Sequence, residues 1–308
     1  MARAPRVSVC IPTYNQTDYL KLTVESLLSQ KFEDYEVVVT DDSDGDGVER
    51  LLARYDFGGR MRYRKNVPQL GSPANWNAAV RDARGEYIKL LHHDDWFPDD
   101  GALENFVSLL DRNEKAGWGG SAACVFGADQ TFVRTHCANP EQLEALARLP
   151  ETLYFGNWIG APSATIYRRG IGIEYDERLK WLVDVDFYMR ALRGNWPFVY
   201  SERVLICTLS GGGHQITEFS AKTPAIDLGE HLLVLERVYP RLKDHPRLVP
   251  YLRNRLSRHR IWTREALEAI CPIPGQLDAL FKRVFASPLW CRLRYGIPRR
   301  LWEMFRRR

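Results

Sequence analysis

A chain of 308 residues, 45% hydrophobic and 27% charged, can bury a sizeable core as one large α/β domain with an appendage or as two modest domains. No apolar run approaches the roughly 20 residues that cross a bilayer, and the opening MARAPRVSVCIPTYN passes from basic residues straight into a strand pattern, without the apolar core or cleavage site of an export signal. The net charge of +4 is uneven: residues 241–308 hold 17 Lys and Arg against 5 Asp and Glu, and the rest hold 26 against 34, which predicts a surface-binding basic end on an acidic body.

In RVSVCIPTYN, Val7, Val9 and Ile11 alternate up to Pro12, predicting a first strand that ends in a loop. TDYLKLTVESLLSQ repeats Leu20, Val24, Leu27 and Leu28 at helical spacing, with Thr17 or Asp18 available as a cap. YEVVVTDDSDGDG is a Val-rich strand ending in acidic and glycine turn residues. Strand, helix and strand within about 40 residues make a parallel βαβ unit. GSPANWNAAVRDAR then reads as a helix stopped by Gly85, EYIKLLHHDD as a strand, PDDGALENFVSLLDRN as a helix and GGSAACVFGADQTFV as a strand. This alternation predicts a Rossmann-like, mostly parallel sheet flanked by helices, with ligands at the carboxyl ends of its strands. Three such ends carry PTYN, DDSDGDG and HHDD. Residues 138–215 are less regular, with a loop and strand in NWIGAPSATIYRR and a helix in LKWLVDVDFYMRALRG; from about 224 the pattern is helical, Arg-rich and broken by prolines. The six cysteines are scattered, with no C-x-x-C pair, which predicts free thiols in a reducing cytoplasm.

DDSDGDG by itself reads as an ordinary turn. HHDDWFPDD asks for more. A buried strand delivers the adjacent, mutually repelling Asp94 and Asp95, and a divalent cation with oxygen ligands would relieve that repulsion.

These motifs, in this order over roughly residues 6–215, resemble the inverting family 2 glycosyltransferases of GT-A fold. The resemblance implies a glycosyltransferase domain over 1–220, with a nucleotide-sugar half at about 1–98 and an acceptor half at about 99–220, followed by a helical Arg-rich region over 221–308. Pro12, Thr13, Tyr14, Asn15 and Asn75 would lie against the donor. Asp42 would accept the imide N–H of uracil or thymine, since a carboxylate is acceptor-only; Arg64 or Lys65 would approach the base or phosphates. Asp94 would contact the ribose or the metal shell, and Asp95 would coordinate Mn2+ or Mg2+ on the diphosphate. His93 occupies a position where the family carries an acid, as a metal ligand or as a hydrogen-bonded structural residue. On an extended strand His92 would point to the opposite face, without a role.

Inverting transfer needs a carboxylate to take the acceptor hydroxyl's proton. In LVDVDFYMRAL, Asp184 with Arg190 six residues on has the family's spacing, which makes Asp184 the candidate base and Arg190 its support. Asp186 is the competitor, on another side of the helix, and a capping role is the plain alternative for Asp184. His214 in LSGGGHQIT is a secondary candidate for the metal or the diphosphate, and Trp158 and Ser163 are candidates for the acceptor side.

The last stretch, PLWCRLRYGIPRRLWEMFRRR, mixes apolar residues with seven arginines after Cys291. That composition suits an anionic membrane interface; a solvated tail, an oligomer contact and nucleic-acid binding are the other readings, the last not expected. The expectation is a metal-dependent inverting enzyme, cytoplasmic or peripheral on the inner face of the membrane. It would move sugar from a UDP- or dTDP-sugar to a glycan or lipid-linked glycan in cell-surface polysaccharide synthesis. A non-catalytic nucleotide-sugar- or glycan-binding protein is the main rival. A sugar-phosphate nucleotidyltransferase is the weaker one, for CIPTYNQTDY is no Gly-rich phosphate loop.

Overall fold

A computed structural model describes residues 3–194, 196–211 and 216–286. The chain divides into two compact units, one through Glu218 and one from Phe219 onward.

The first unit opens with β1 (Val7–Thr13), α1 (Asp18–Leu28) and β2 (Tyr35–Asp41). Every residue of β1 and β2 is buried, as expected of central strands covered on both faces. Next come α2 (Gly47–Leu52), β3 (Met61–Lys65), α3 (Ala74–Asp82), β4 (Tyr87–Leu90) and α4 (Ala102–Asp111). α4 buries Ala102, Leu103, Phe106, Val107 and Leu110, a single helical stripe. Each large apolar side chain so buried contributes about 1.5–3 kcal/mol. The predicted strand after α4 is a hairpin, β5 (Trp118–Gly127) and β6 (Phe132–His136). α5 (Pro140–Arg148), β7 (Thr165–Arg168), α6 (Val183–Arg193) and β8 (Phe198–Ser210) follow, and α7 (Ile216–Lys222) runs across the boundary between the units.

The strands form one sheet in the order β3-β2-β1-β4-β7-β5-β6, with β8 alongside β5. β3, β2, β1 and β4 are mutually parallel. β7 runs antiparallel to both β4 and β5, and β8 is parallel to β5. Gly85 lets the chain enter β4 against β1, because a Cβ there would lie 2.5 Å from the Ser8 nitrogen. A backbone bridge between Trp96 and Cys207 fastens the segment after β4 to β8.

The second unit contains α8 (Pro224–Leu242), α9 (Leu248–Arg258), α10 (Arg264–Glu268) and α11 (Asp278–Phe285). α8 packs on α9, and α9 on α11. Its polar centre is Asp227, wholly buried, which accepts from Arg255 at 2.5 Å and lies 2.6 Å from Nε2 of His259. Burial alone would raise its carboxyl; hydrogen bonds from His231 and His259 and the charge of Arg255 outweigh that and hold it well below the usual range. Among the described residues no helix is long and apolar enough to cross a membrane.

Candidate active site

The carboxyl ends of β1, β2 and β8, the turn after β4 and the start of α6 surround a cleft of about 810 Å³. Pro12, Thr13, Tyr14, Asn15, Asp42, Asn75, His93, Asp94, Asp95 and Asp184 line it, so the sequence candidates from five separate stretches meet there. Trp158, Ser163 and Arg190 are not among its lining residues, and His214 and the tail from 287 lie outside the described residues.

At one end the PTYN loop is pinned to the acidic turn. Asn15 donates through Nδ2 to Asp44 at 2.6 Å and accepts the Asp44 N–H at 2.9 Å. Its φ of +50° is one that asparagine tolerates. Asp41 stays behind this wall, taking hydrogen bonds from Thr13, Ser43 and Tyr63. Asp42 faces the cleft. Its Oδ1 accepts from Asn66 at 2.7 Å and its Oδ2 from the Gly71 N–H at 2.7 Å. Each oxygen has two lone-pair directions, so held in this way it still has acceptor capacity on Oδ2. Asn75 spends its amide on the scaffold, donating to the carbonyls of Thr13 and Thr40 and accepting from Asn66. Arg64 and Lys65, expected near the base or phosphates, are tied elsewhere: Arg64 to Asp82, Lys65 to Asp41 and the Gly45 carbonyl.

The turn after β4 corrects the reading of the two histidines. β4 ends at Leu90, and residues 92–95 close a turn through the Asp95 N–H and the His92 carbonyl, so strand alternation stops before His92. His92 therefore gathers with Asp94 and Asp95, with one ligand atom of each within 4.8 Å of the others. His93 instead sets its Nδ1 3.2 Å from the Pro12 carbonyl, a structural bond across to β1. The His92 ring lies on Trp76, with centroids 4.6 Å apart, and its buried Nε2 meets no hydrogen-bond partner among the described residues. Burial pushes this imidazole down to about 4, so it is neutral at physiological pH and has a lone pair to offer. Burial, with Asp94 beside it, drives the Asp95 carboxyl well above its ordinary value. A divalent cation would reverse that preference, and two carboxylates with a neutral imidazole could hold one.

Ser163, expected on the acceptor side, is wholly buried. Its hydroxyl oxygen accepts the His92 N–H at 2.9 Å, and its presence favours the charged form of Asp95. Its carbonyl accepts from Nζ of Lys89, a fully buried lysine whose ammonium sits 4.2 Å from the Phe106 ring centroid. Burial pushes Lys89 down to about 7. The lysine sits in the strand before HHDD, where it reads as an ordinary alternating polar residue. Trp158 offers its carbonyl to His136.

Asp184 stands in the first turn of α6, where the helix dipole favours a carboxylate. Its Oδ1 accepts the Val185 N–H at 2.8 Å and its Oδ2 accepts from Asn157 at 2.6 Å. Burial raises this carboxyl to about 6 against those donors. Asp186 is buried and bound by Arg190 at 2.7 Å, so Arg190 supports Asp186 rather than Asp184. Trp76, Lys180 and Trp181 complete the cleft wall near these acids; none stood out in the sequence, where tryptophans are numerous.

Comparison with known proteins bears on this arrangement. An uncharacterized protein of Mycobacterium tuberculosis is 29% identical over 201 residues, covering 61% of this chain and 62% of that one. An uncharacterized glycosyltransferase of Rickettsia felis is 27% identical over 208 residues, 66% of this chain and 34% of that one. The chain thus spans less than two thirds of these relatives' length. The Bacillus subtilis glycosyltransferase TuaG, named for teichuronic acid biosynthesis, is 31% identical over 113 residues, 35% of this chain and 44% of that one. Among solved structures, residues 1–349 of Staphylococcus aureus TarS with UDP-GlcNAc superpose with a TM-score of 0.54 at 19% identity, over 89% of this chain and 83% of that one. A mannosyltransferase of Pyrobaculum calidifontis, solved with GDP-Man and Mn2+, gives 0.58 at 16% identity, over 95% and 84%. At these identities the likeness is one of fold, the GT-A fold. Residues 8–175 match the profile of glycosyl transferase family 2, and the chain belongs to that family.

Proposed function

We propose that this protein is a metal-dependent inverting glycosyltransferase that moves a sugar from a UDP- or dTDP-sugar to a hydroxyl of a glycan or lipid-linked glycan. The observation that carries the reading is a single cleft lined by Asp42, Asp94, Asp95 and Asp184. Asp42 would accept the pyrimidine imide N–H at the nucleotide end. Asp184 would take the proton of the acceptor hydroxyl as its oxygen attacks the anomeric carbon. The bond from that carbon to the diphosphate oxygen breaks, and its electron pair leaves with the nucleoside diphosphate. A divalent cation held by His92, Asp94 and Asp95 would neutralise charge on the departing diphosphate. The acceptor would enter beside Trp76, Lys180 and Trp181. Teichuronic acid biosynthesis in the name of TuaG supports a role in cell-surface polysaccharide synthesis. The Arg-rich stretch 287–308 fits attachment to the inner face of a membrane.

The test is Asp184→Asn, assayed with a panel of UDP-, dTDP- and GDP-sugars with and without Mn2+. Donor binding should persist while transfer falls by about 10²–10⁴. Full turnover by the variant would sink the mechanism, and stabilisation by GDP-sugars over UDP-sugars would overturn the role of Asp42.

A further inference from the structure

We infer that segment 157–163 is a brace that positions both ends of the reaction centre, through Asn157 on Asp184 and through Ser163 on the turn 92–95 that carries Asp95; this rests on the roles proposed above for those two acids. The Asn157 amide cannot turn over. Its Oδ1 accepts the N–H groups of Ile159 at 3.1 Å and Gly160 at 2.9 Å, so its Nδ2 must face the other way. There it donates to the Gly160 carbonyl at 2.8 Å and to Oδ2 of Asp184 at 2.6 Å. The Val185 N–H holds the other oxygen of the base, so the carboxylate plane is fixed from two sides. The turn is seated in its own right: Gly160 has φ +107°, where a side chain would be strained, and its carbonyl also accepts from Tyr188 at 3.1 Å.

Three residues on, Ser163 closes the other end. Its hydroxyl oxygen takes the backbone N–H of His92 at 2.9 Å, at the start of the turn 92–95 that carries Asp95. Its carbonyl is fastened to the buried Lys89. One short stretch therefore fixes where the base stands relative to the cation-side acid. The other ionisable groups around Asp184 are Tyr175 and Tyr188, both pushed up by burial and neutral, and Lys180 on the cleft wall, while Asp186 and Arg190 bind one another.

The test pairs Asn157→Ala with Ser163→Ala in the full chain, with Asp184→Asn as the reference. Asn157→Ala should lower kcat by about 10- to 100-fold with little change in donor KM. It should also move the acid limb of kcat/KM to higher pH, because the carboxylate loses a donor that favours its charged form. Carbon NMR of labelled aspartates should show the same rise for Asp184 in the absence of substrate, and Asn157→Ser guards against loss of folding. Ser163→Ala should weaken UDP–Mn2+ binding about tenfold in calorimetry and leave the limb in place. If Asp184→Asn is inactive and Asn157→Ala slows turnover without moving either the limb or the resonance, the residue is merely structural and the brace is overturned. If Asp184→Asn turns over freely, the base assignment fails, while the resonance still reports whether Asn157 holds that carboxylate. Unchanged UDP–Mn2+ binding by Ser163→Ala removes the second arm.

Discussion

Arg190 binds Asp186, one helical turn away at 2.7 Å, and the candidate base two residues before Asp186 is held by Asn157 instead. The two acids of LVDVDF thus divide the work, one for the interior and one for the cleft. Asp186→Asn should reduce stability by about 2–4 kcal/mol, because it leaves a half-buried guanidinium without its carboxylate. The protein that remains folded should keep most of its kcat. Denaturant melts beside initial rates separate the two effects; a stable, inactive Asp186→Asn variant would transfer the base role to Asp186.

Activity should fall on acidification. The Asp184 carboxyl, raised to about 6 by burial, must be ionised to accept a proton. Below pH 6 the ionised fraction drops about tenfold per unit, so kcat/KM should follow it down and level off above about pH 7. A rate flat from pH 5 to 8 would contradict the role of Asp184.

His92→Ala should weaken UDP binding in the presence of Mn2+ by about 10-fold or more and leave UDP binding without metal nearly unchanged. His93→Ala should act differently, by freeing the Pro12 carbonyl and loosening the link to β1. Calorimetry with and without Mn2+ decides between them. Equal metal dependence for His92→Ala and the parent would leave the imidazole only its tilted ring contact with Trp76.

The second unit should be acid-sensitive for its own reason. The Asp227 carboxyl is held below its ordinary value near 3.8, so its stabilising effect is full above about pH 4 and is lost as pH falls further. His231 is lowered from 6.5, so the unfolded chain takes up the proton first and stability already declines below about pH 6.5. Asp227→Asn leaves Arg255 and His259 short of an acceptor and should cost about 3 kcal/mol. Amide exchange in α8 and α9 should speed up in the variant; protection equal to the parent at pH 7 would refute this account.

The regular half of the fold was readable because its physics is local. β1, β2 and β4 are short apolar runs closed by turn residues, and α1 and α4 carry clear stripes. β8 hid because its register against β5 slips twice, between Ser121 and Ala123, so no constant alternation survives around Glu202 and Arg203. His92 was misplaced by extending strand periodicity beyond the strand. Asn157 gave no local sign at all, and Ser163 was marked only for the acceptor side. Each acts on a partner 27 or more residues away, and only the fold brings them together.

The bridge between Trp96 and Cys207 has a meaning for how the chain folds. The acid at Asp95 is encoded early, yet the strand that seats it, through the Leu209 N–H and this bridge, comes more than a hundred residues later. Contacts so far apart in sequence form only after the intervening chain has been closed into a loop. The cleft therefore depends on a long-range closure. A chain cut before Phe198 would carry Asp42, Asp94, Asp95 and Asp184 and would lack the strand that gives one of them its place.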